Sequence, residues 1–169
     1  MATAKTQDAI QLLTQDHREV EALFEKFEKA SGDGTKEKLA RQICTELKIH
    51  TMIEEEIFYP ALRGKIDDDD LDEALVEHDG AKVLINDIEA GEPSDDFYEA
   101  KVKVLQEEIE HHVKEEEKQQ GNIFSQARKT DVDLDALGEQ MAARKAELKQ
   151  QAETSGLPPA QPATLTQEA

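Results

Sequence analysis

The chain has 169 residues, a length typical of a single domain that can bury a sizeable core. Charged residues make up 35% and aromatic residues 4%, and tryptophan is absent, which favours an all-helical fold over a β-sheet. The formal net charge is −19, which argues against nucleic acid and an anionic membrane surface as partners. The single cysteine, Cys44, excludes an internal disulfide and a thiolate metal cage, and we expect it in the core. Without an apolar leader or a long apolar span, the sequence predicts a cytoplasmic protein.

The first half of the chain is patterned as two amphipathic helices. Between Ala9 and Ala30, apolar residues and one histidine recur in steps of three and four, which marks one helix face. The run Ser-Gly-Asp-Gly-Thr at 31–35 breaks this pattern and predicts a turn. A second stripe with the same spacing follows, and Pro60 and Gly64 are expected to end or distort its last turn.

Two further helices follow. The four acidic residues 67–70 are interpreted as complementing the positive N-terminus of the third helix, since a calcium loop would need a glycine and a glutamate that are missing at the required positions. Gly91-Glu-Pro-Ser stops this helix. The fourth helix has its apolar stripe from Val102 onwards, and Gly121 and Asn122 predict its C-terminal cap.

The sequence therefore predicts an all-α fold, with an up-down-up-down four-helix bundle over residues 1–130. An additional C-terminal helix is predicted at 131–152, where the apolar edge is weaker. The Pro-, Gln-, Ala- and Thr-rich residues 153–169 are predicted to form a disordered tail. The C-terminal helix could dock across the bundle or pair with a second chain, so a monomer and a homodimer both stay open.

Each of the four bundle helices places one histidine in its apolar stripe. These histidines are His17, His50, His78 and His112. In an up-down bundle with short loops, residues equidistant from a turn lie side by side. The midpoint of each successive pair falls in or at the edge of a predicted turn, so all four imidazoles are expected at one level, facing one another.

Two carboxylates accompany the histidines. Glu54 and Glu116 each follow a histidine by four residues and therefore share its helix face. Buried carboxylates are costly unless paired or bound to metal, so four imidazoles and two carboxylates predict a site for two divalent cations. Nitrogen and oxygen donors without sulfur suit iron, manganese or zinc.

Local alternatives remain within this pattern. His111 and Glu115 have the same spacing as His112 and Glu116, although the apolar stripe favours the second pair. Glu21 stands four residues after His17, and its role is open. A ferritin-like di-iron bundle is disfavoured, because it needs two Glu-x-x-His pairs on inward faces.

These motifs resemble the hemerythrin family, specifically its HHE cation-binding branch. The resemblance covers roughly residues 9–128 and rests on three motifs and one further pair: Asp-His-Arg-Glu at His17, His-x-x-x-Glu at His50 ending in Ile-Phe-Tyr-Pro, Glu-His-Asp at His78, and His112 with Glu116. It implies a non-haem centre of two iron ions, with manganese or zinc as alternatives, bridged by the two carboxylates and by an oxo, hydroxo or water oxygen. It also implies dioxygen, peroxide or nitric oxide as the small ligand.

The sequence departs from the oxygen carriers of that family at two points. The oxygen carriers have a His-x-x-x-His pair on the third helix, and Lys82 stands at the second of these positions in this chain. Their last motif is His-x-x-x-x-Asp, whereas this chain has His112-x-x-x-Glu116. The missing imidazole would leave an exchangeable coordination position. We therefore expect a di-iron protein that binds or reacts with a small oxidant in stress response, storage or sensing. Catalase- or peroxidase-like removal of hydrogen peroxide and a metal-free structural stress protein are the alternatives.

Overall fold

The computed structural model describes residues 6–166 as seven helices. They are α1 (Ala9–Lys29), α2 (Asp33–Ile53), α3 (Tyr59–Leu62), α4 (Asp68–Ala90), α5 (Tyr98–Val113), α6 (Ile123–Ala127) and α7 (Leu134–Thr154). α1, α2, α4 and α5 are the predicted bundle helices, and α7 is the predicted additional helix. The all-α prediction is confirmed. The first five residues of the predicted domain and the last three of the predicted tail lie outside the described residues.

Capping residues explain where several helices begin. Asp8 forms a capping box with Gln11 at the start of α1. Asp67 caps α4, and three more aspartates occupy the first turn of that helix, as the acidic run predicted. Asp133 caps α7 by accepting a hydrogen bond from the backbone of Ala136.

The cores of the bundle lie on both sides of the histidine level. One apolar cluster contains Leu13, Ile53, Phe58, Leu71, Phe124 and Met141. The other contains Phe24, Ile43, Leu47, Ile85, Leu105 and Val113, and the buried Cys44 lies within it as expected. The level between the two clusters is therefore enclosed by apolar side chains at both ends.

Helix α7 docks across α1 and α2 of its own chain. Leu137, Met141 and Leu148 are its buried residues that pack into the core. Gly138 permits a close approach, because a Cβ added there would lie 2.4 Å from the backbone oxygen of Gln7. Docking inside one chain leaves the oligomeric state a prediction.

The segment after α7 is in contact with the bundle, which differs from the expectation of a disordered tail. The Asp79 carboxylate accepts hydrogen bonds from the backbone N–H groups of Ala163, Thr164 and Leu165 at 2.6–2.8 Å. The side chain of Asn86 pairs with both backbone groups of Ala160. The composition of this segment predicts disorder because it offers few apolar side chains, and these polar contacts hold its backbone instead. The domain limits themselves stay predictions.

The fourth bundle helix ends earlier than its predicted cap. α5 stops at Val113 and is followed by a π-helical turn, Lys114–Lys118. Gly121 then takes a positive φ of 72° in a loop, and Asn122 caps the next short helix, α6, instead of closing the fourth. None of the described helices combines the length and the apolarity that a membrane crossing requires.

Candidate metal centre

Four buried imidazoles converge between the two apolar clusters. The Nε2 atoms of His17 and His50 lie 3.2 Å apart, and those of His78 and His112 are also 3.2 Å apart. The four residues come from α1, α2, α4 and α5, and each is at most 7% exposed. The structure thus brings together the four histidines that the turn midpoints placed at one level.

The two buried carboxylates connect these histidine pairs. Glu54 places Oε1 3.1 Å from Nε2 of His50 and Oε2 3.0 Å from Nε2 of His78. Glu116 places Oε1 3.4 Å from Nε2 of His112 and Oε2 3.2 Å from Nε2 of His17. Each carboxylate therefore spans from one pair to the other, and both are fully buried.

Both glutamates lie in π-helical turns, Glu54–Phe58 and Lys114–Lys118. Such turns close i→i+5 hydrogen bonds and recur at functional sites. Because a π turn winds less per residue than an α-helix, consecutive side chains can reach the same neighbour. Glu54 and Glu55 both contact His78, and Glu116 and Glu117 both contact His17.

Each inward histidine is oriented from behind by a carboxylate at Nδ1. These four outer carboxylates are Glu117 at His17 (3.2 Å), Asp16 at His50 (3.2 Å), Glu55 at His78 (2.9 Å) and Glu77 at His112 (2.5 Å). A carboxylate that accepts the Nδ1 proton favours the tautomer with a free lone pair on Nε2. All four imidazoles therefore aim a potential metal-binding nitrogen at the centre.

Three of the outer carboxylates are in turn paired with permanent cations. Glu117 contacts Arg18, Asp16 contacts Lys145 of α7, and Glu55 contacts Lys82 at 2.8 Å. Glu77 instead has His111, with Nε2 3.3 Å from its Oε1. Three of the four outer carboxylates are therefore neutralised by a lysine or an arginine, whereas the fourth, Glu77, contacts histidines instead.

The donor set fits two divalent cations. Oε1 of Glu54 and Oε2 of Glu116 have no hydrogen-bond partner among the described residues, although each lies just over 3 Å from an Nε2. Unsatisfied buried oxygens are costly without a ligand. Donors about 3 Å apart match neighbouring ligands of one ion bound at roughly 2.1 Å. Two overlapping groups meet this condition: His17, His50, Glu54 and Glu116 form one, and Glu54, His78 and His112 form the other.

Protons balance the buried charge when no cation does. Burial lowers the pKa of His50, but Glu54 and Asp16 outweigh it and raise the pKa to about 10. The pKa of His112 is also raised, because Glu116 overcomes the effect of burial. The pKa of Glu116 falls to about 2, since His112 and His17 outweigh burial and the charge of Glu54. Cation binding must therefore displace protons from these imidazoles.

Tyr59 completes the wall of the site. Its hydroxyl lies 3.1 Å from Oε2 of Glu54 and 3.4 Å from Nε2 of His78, and it donates to Oε1 of Glu116. Burial and the two carboxylates raise its pKa well above the usual range. Tyr59 belongs to the Ile-Phe-Tyr-Pro run that follows Glu54 in the sequence, and its hydroxyl enters the donor cluster.

The model of the hemerythrin HHE cation binding domain matches residues 8–121 of this chain. The chain belongs to this family. A hemerythrin HHE domain-containing protein from Mycobacterium kansasii has a similar crystal structure, with a TM-score of 0.73 and 25% identity, covering 89% of this chain and 95% of that one. A DNA nickase of Nostoc sp. (strain PCC 7120) is 30% identical over 111 residues, or 66% of this chain and 31% of that protein. The chain thus spans about a third of that relative's length.

The other acidic and basic candidates lie outside the hemerythrin-like centre. His111 is exposed and contacts Glu115 at 3.3 Å, so the structure places this pair at the surface and His112 with Glu116 inside. Glu21 pairs with Arg18. Lys82, at the position of the missing imidazole, contacts Glu55 and Asp79 instead of the centre.

The sequence alone did not identify Asp16 and Glu77 as outer carboxylates. Asp16 and Glu77 each directly precede an inward histidine, yet each contacts the histidine of a neighbouring helix. Glu55 and Glu117 each directly follow an inward glutamate. An acid directly before an inward histidine and a glutamate directly after an inward glutamate each occur twice in the chain. This repetition is the signal that could have identified the four outer carboxylates.

A small cavity opens beside the centre, towards the second apolar cluster. Its volume is about 20 Å³. The four inward histidines line one side, and Val20, Leu47, Ile109 and Val113 provide apolar wall. Such a volume admits about one or two water-sized molecules. A larger organic substrate does not fit.

Proposed function

We propose that this hemerythrin-family chain is a non-haem di-iron protein that binds or reacts with a small oxidant: dioxygen, peroxide or nitric oxide. The observation that carries the proposal is the pair of buried carboxylates, Glu54 and Glu116, each spanning two histidine pairs. Four nitrogens and four oxygens would then be available to hold two ions. This donor set suits iron, with manganese and zinc as alternatives.

The size of the cavity supports a small ligand. About 20 Å³ beside the four imidazoles is enough for a diatomic molecule or peroxide. The lining is mixed, because Asp16, Glu46 and Thr51 stand beside the aliphatic side chains.

The residues around the centre have separate tasks in this proposal. Glu54 and Glu116 would hold the metal through their carboxylate oxygens, and the outer carboxylates keep the imidazoles in one orientation. Tyr59 holds a proton at its hydroxyl, within reach of both bridging carboxylates. Bound iron would supply one-electron chemistry. Because Lys82 rather than a histidine stands four residues after His78, a metal bound there would have one imidazole fewer, which would leave room for an exchangeable ligand.

The test is anaerobic reconstitution with ferrous iron, followed by separate additions of dioxygen, nitric oxide and hydrogen peroxide. We expect ligand-dependent changes in the visible and near-ultraviolet spectrum that disappear in His50→Ala and persist in the surface control Glu107→Gln. Oxygen evolution from peroxide would assign the catalase-like alternative. Spectral changes without oxygen evolution would assign binding or sensing. A protein that retains no iron would leave the metal-free alternative.

The nicking activity named for the Nostoc relative is not part of this proposal. The shared part is 31% of that protein. Moreover, the net charge of −19 opposes contact with a polyanion.

A further inference from the structure

A second group of side chains of the types that bind metals lies next to the centre, around the exposed His111. Nε2 of His111 lies 3.3 Å from Oε1 of Glu77 and 3.3 Å from Oε1 of Glu115. The three side chains offer one nitrogen and two oxygens within 4.8 Å of one another. We call them the surface triad. Their donor types are those of the buried centre, and His111 is 59% exposed, so an ion there would keep water ligands.

Within the surface triad, the outer carboxylate Glu77 contacts His111, where each of the other three outer carboxylates contacts a lysine or an arginine. Arg18, Lys145 and Lys82 neutralise Glu117, Asp16 and Glu55. Glu77 has no lysine or arginine within 4 Å among residues 6–166, and it faces a second carboxylate, Glu115, across His111. Two carboxylates held this close repel each other. A divalent cation would neutralise both.

A polar cavity of about 110 Å³ connects this surface with the centre. Its lining carboxylates are Asp70, Glu73, Glu77, Glu115 and Glu116, and no lysine or arginine is among the described lining residues. At the inner end lies Glu116, which is fully buried and has an oxygen without a hydrogen-bond partner. His112 lines the same cavity. The cavity therefore runs from partly exposed acids to two of the inward donors.

We propose that the surface triad of Glu77, His111 and Glu115 binds a divalent cation and passes it through this cavity to His112 and Glu116. Delivery rests on the proposed di-metal function, whereas the surface site itself does not. The acidic lining attracts cations and concentrates them at the entrance. Three protein donors with solvent access bind more weakly than the buried set, which allows the ion to leave inwards. Small uncharged ligands have the separate cavity on the other side.

The test uses cobalt(II) and metal-free protein, with rapid-mixing absorbance for the rate and equilibrium titration for the stoichiometry. The variants are His111→Ala and Glu115→Gln, neither of which removes an inward side chain. Glu107→Gln, an exposed residue on the same helix, is the charge-matched control. Circular dichroism verifies folding before each measurement.

We expect the unmodified chain and the control to bind three cobalt ions, the third one weakly. The two variants should bind two ions and should load the buried centre about tenfold more slowly, with a weaker dependence on salt. If all four proteins bound two ions at the same rate, the surface site would be overturned and the proposed function would stand. Loss of the third ion without slower loading would overturn delivery. Failure of every protein to bind cobalt would overturn the proposed function too.

Discussion

Glu54 and Glu116 make equivalent contacts from opposite halves of the chain. Each places one oxygen beside the histidine four residues earlier on its own helix and the other beside a histidine of a different helix. Neither side chain has solvent exposure. The two histidine pairs are therefore linked through both carboxylates.

Replacing one of these carboxylates should impair both cation positions. Glu54→Gln keeps the shape of the side chain but removes its charge and one oxygen donor. We expect the number of cobalt ions retained in the buried centre to fall from two to at most one. Equilibrium titration followed by metal analysis checks this, with Glu107→Gln as the control. Retention of two ions in Glu54→Gln would show that this carboxylate is not shared.

The stability of the metal-free protein should fall as the solution becomes more alkaline. The folded-state pKa of His50 is about 10, against 6.5 for an ordinary histidine, and that of His112 is raised as well. A group whose pKa is raised in the folded protein contributes stability that is fully present below its unfolded-state pKa. This stability is lost as the pH rises through the folded-state pKa. The expected window is therefore pH 6.5 to about 10.

Urea unfolding of metal-free protein across this window measures the effect. Protein loaded with zinc should lose less stability over the same range, because zinc takes the place of the protons and binds more tightly once the imidazoles are neutral. A metal-free protein whose stability is unchanged between pH 7 and pH 10 would contradict this assignment of protons.

Removing an outer carboxylate should weaken cation binding without unfolding the bundle. Asp16→Asn withdraws the negative charge behind Nδ1 of His50 and leaves Lys145 without its partner. Losses of this kind cost roughly 10- to 100-fold in metal affinity. Competition with a chromophoric zinc chelator measures the change. The exposed Asp96→Asn should bind zinc as the unmodified chain does, and equal affinities for both variants would show that Asp16 has no such role.

The docking of α7 should depend on the absence of a side chain at position 138. In Gly138→Ala, the new methyl group would clash with the backbone at Gln7–Ala9, so the helix must shift. We expect a destabilisation of about 1–3 kcal/mol, typical of overpacking. Thermal unfolding measures it. Gly34→Ala, where a Cβ meets nothing within 4 Å, is the control and should stay close to the unmodified chain.

Much of this architecture follows from periodicity. Apolar steps of three and four located α1, α2, α4 and α5, and the aspartates at 67–70 located the start of α4. The level of the four histidines followed from loop positions alone, because short loops force neighbouring antiparallel helices into register. The donor cluster could therefore be predicted from the sequence, although its role as a metal site stays a prediction.

Other features depend on contacts that no local pattern encodes. The spacing from His50 selects Glu54 as the inward glutamate, but it does not indicate the π turn at Glu54–Phe58 or the contact of Glu55 with His78. The contact of Asp16 with His50 depends on how α1 is rotated against α2. The placement of residues 160–165 depends on two side chains of α4, although the composition of this segment predicts disorder. Asp79 accepts backbone hydrogen bonds from Ala163, Thr164 and Leu165, and Asn86 accepts one from Ala160 and donates one to its carbonyl.

The most direct measurement is an anomalous difference map, collected at the iron absorption edge from crystals of iron-reconstituted protein. We predict two peaks between the Nε2 atoms of His17, His50, His78 and His112, with Glu54 and Glu116 bound to both ions. A map without a peak among these side chains, from protein that was reconstituted with excess iron, would contradict the dinuclear centre.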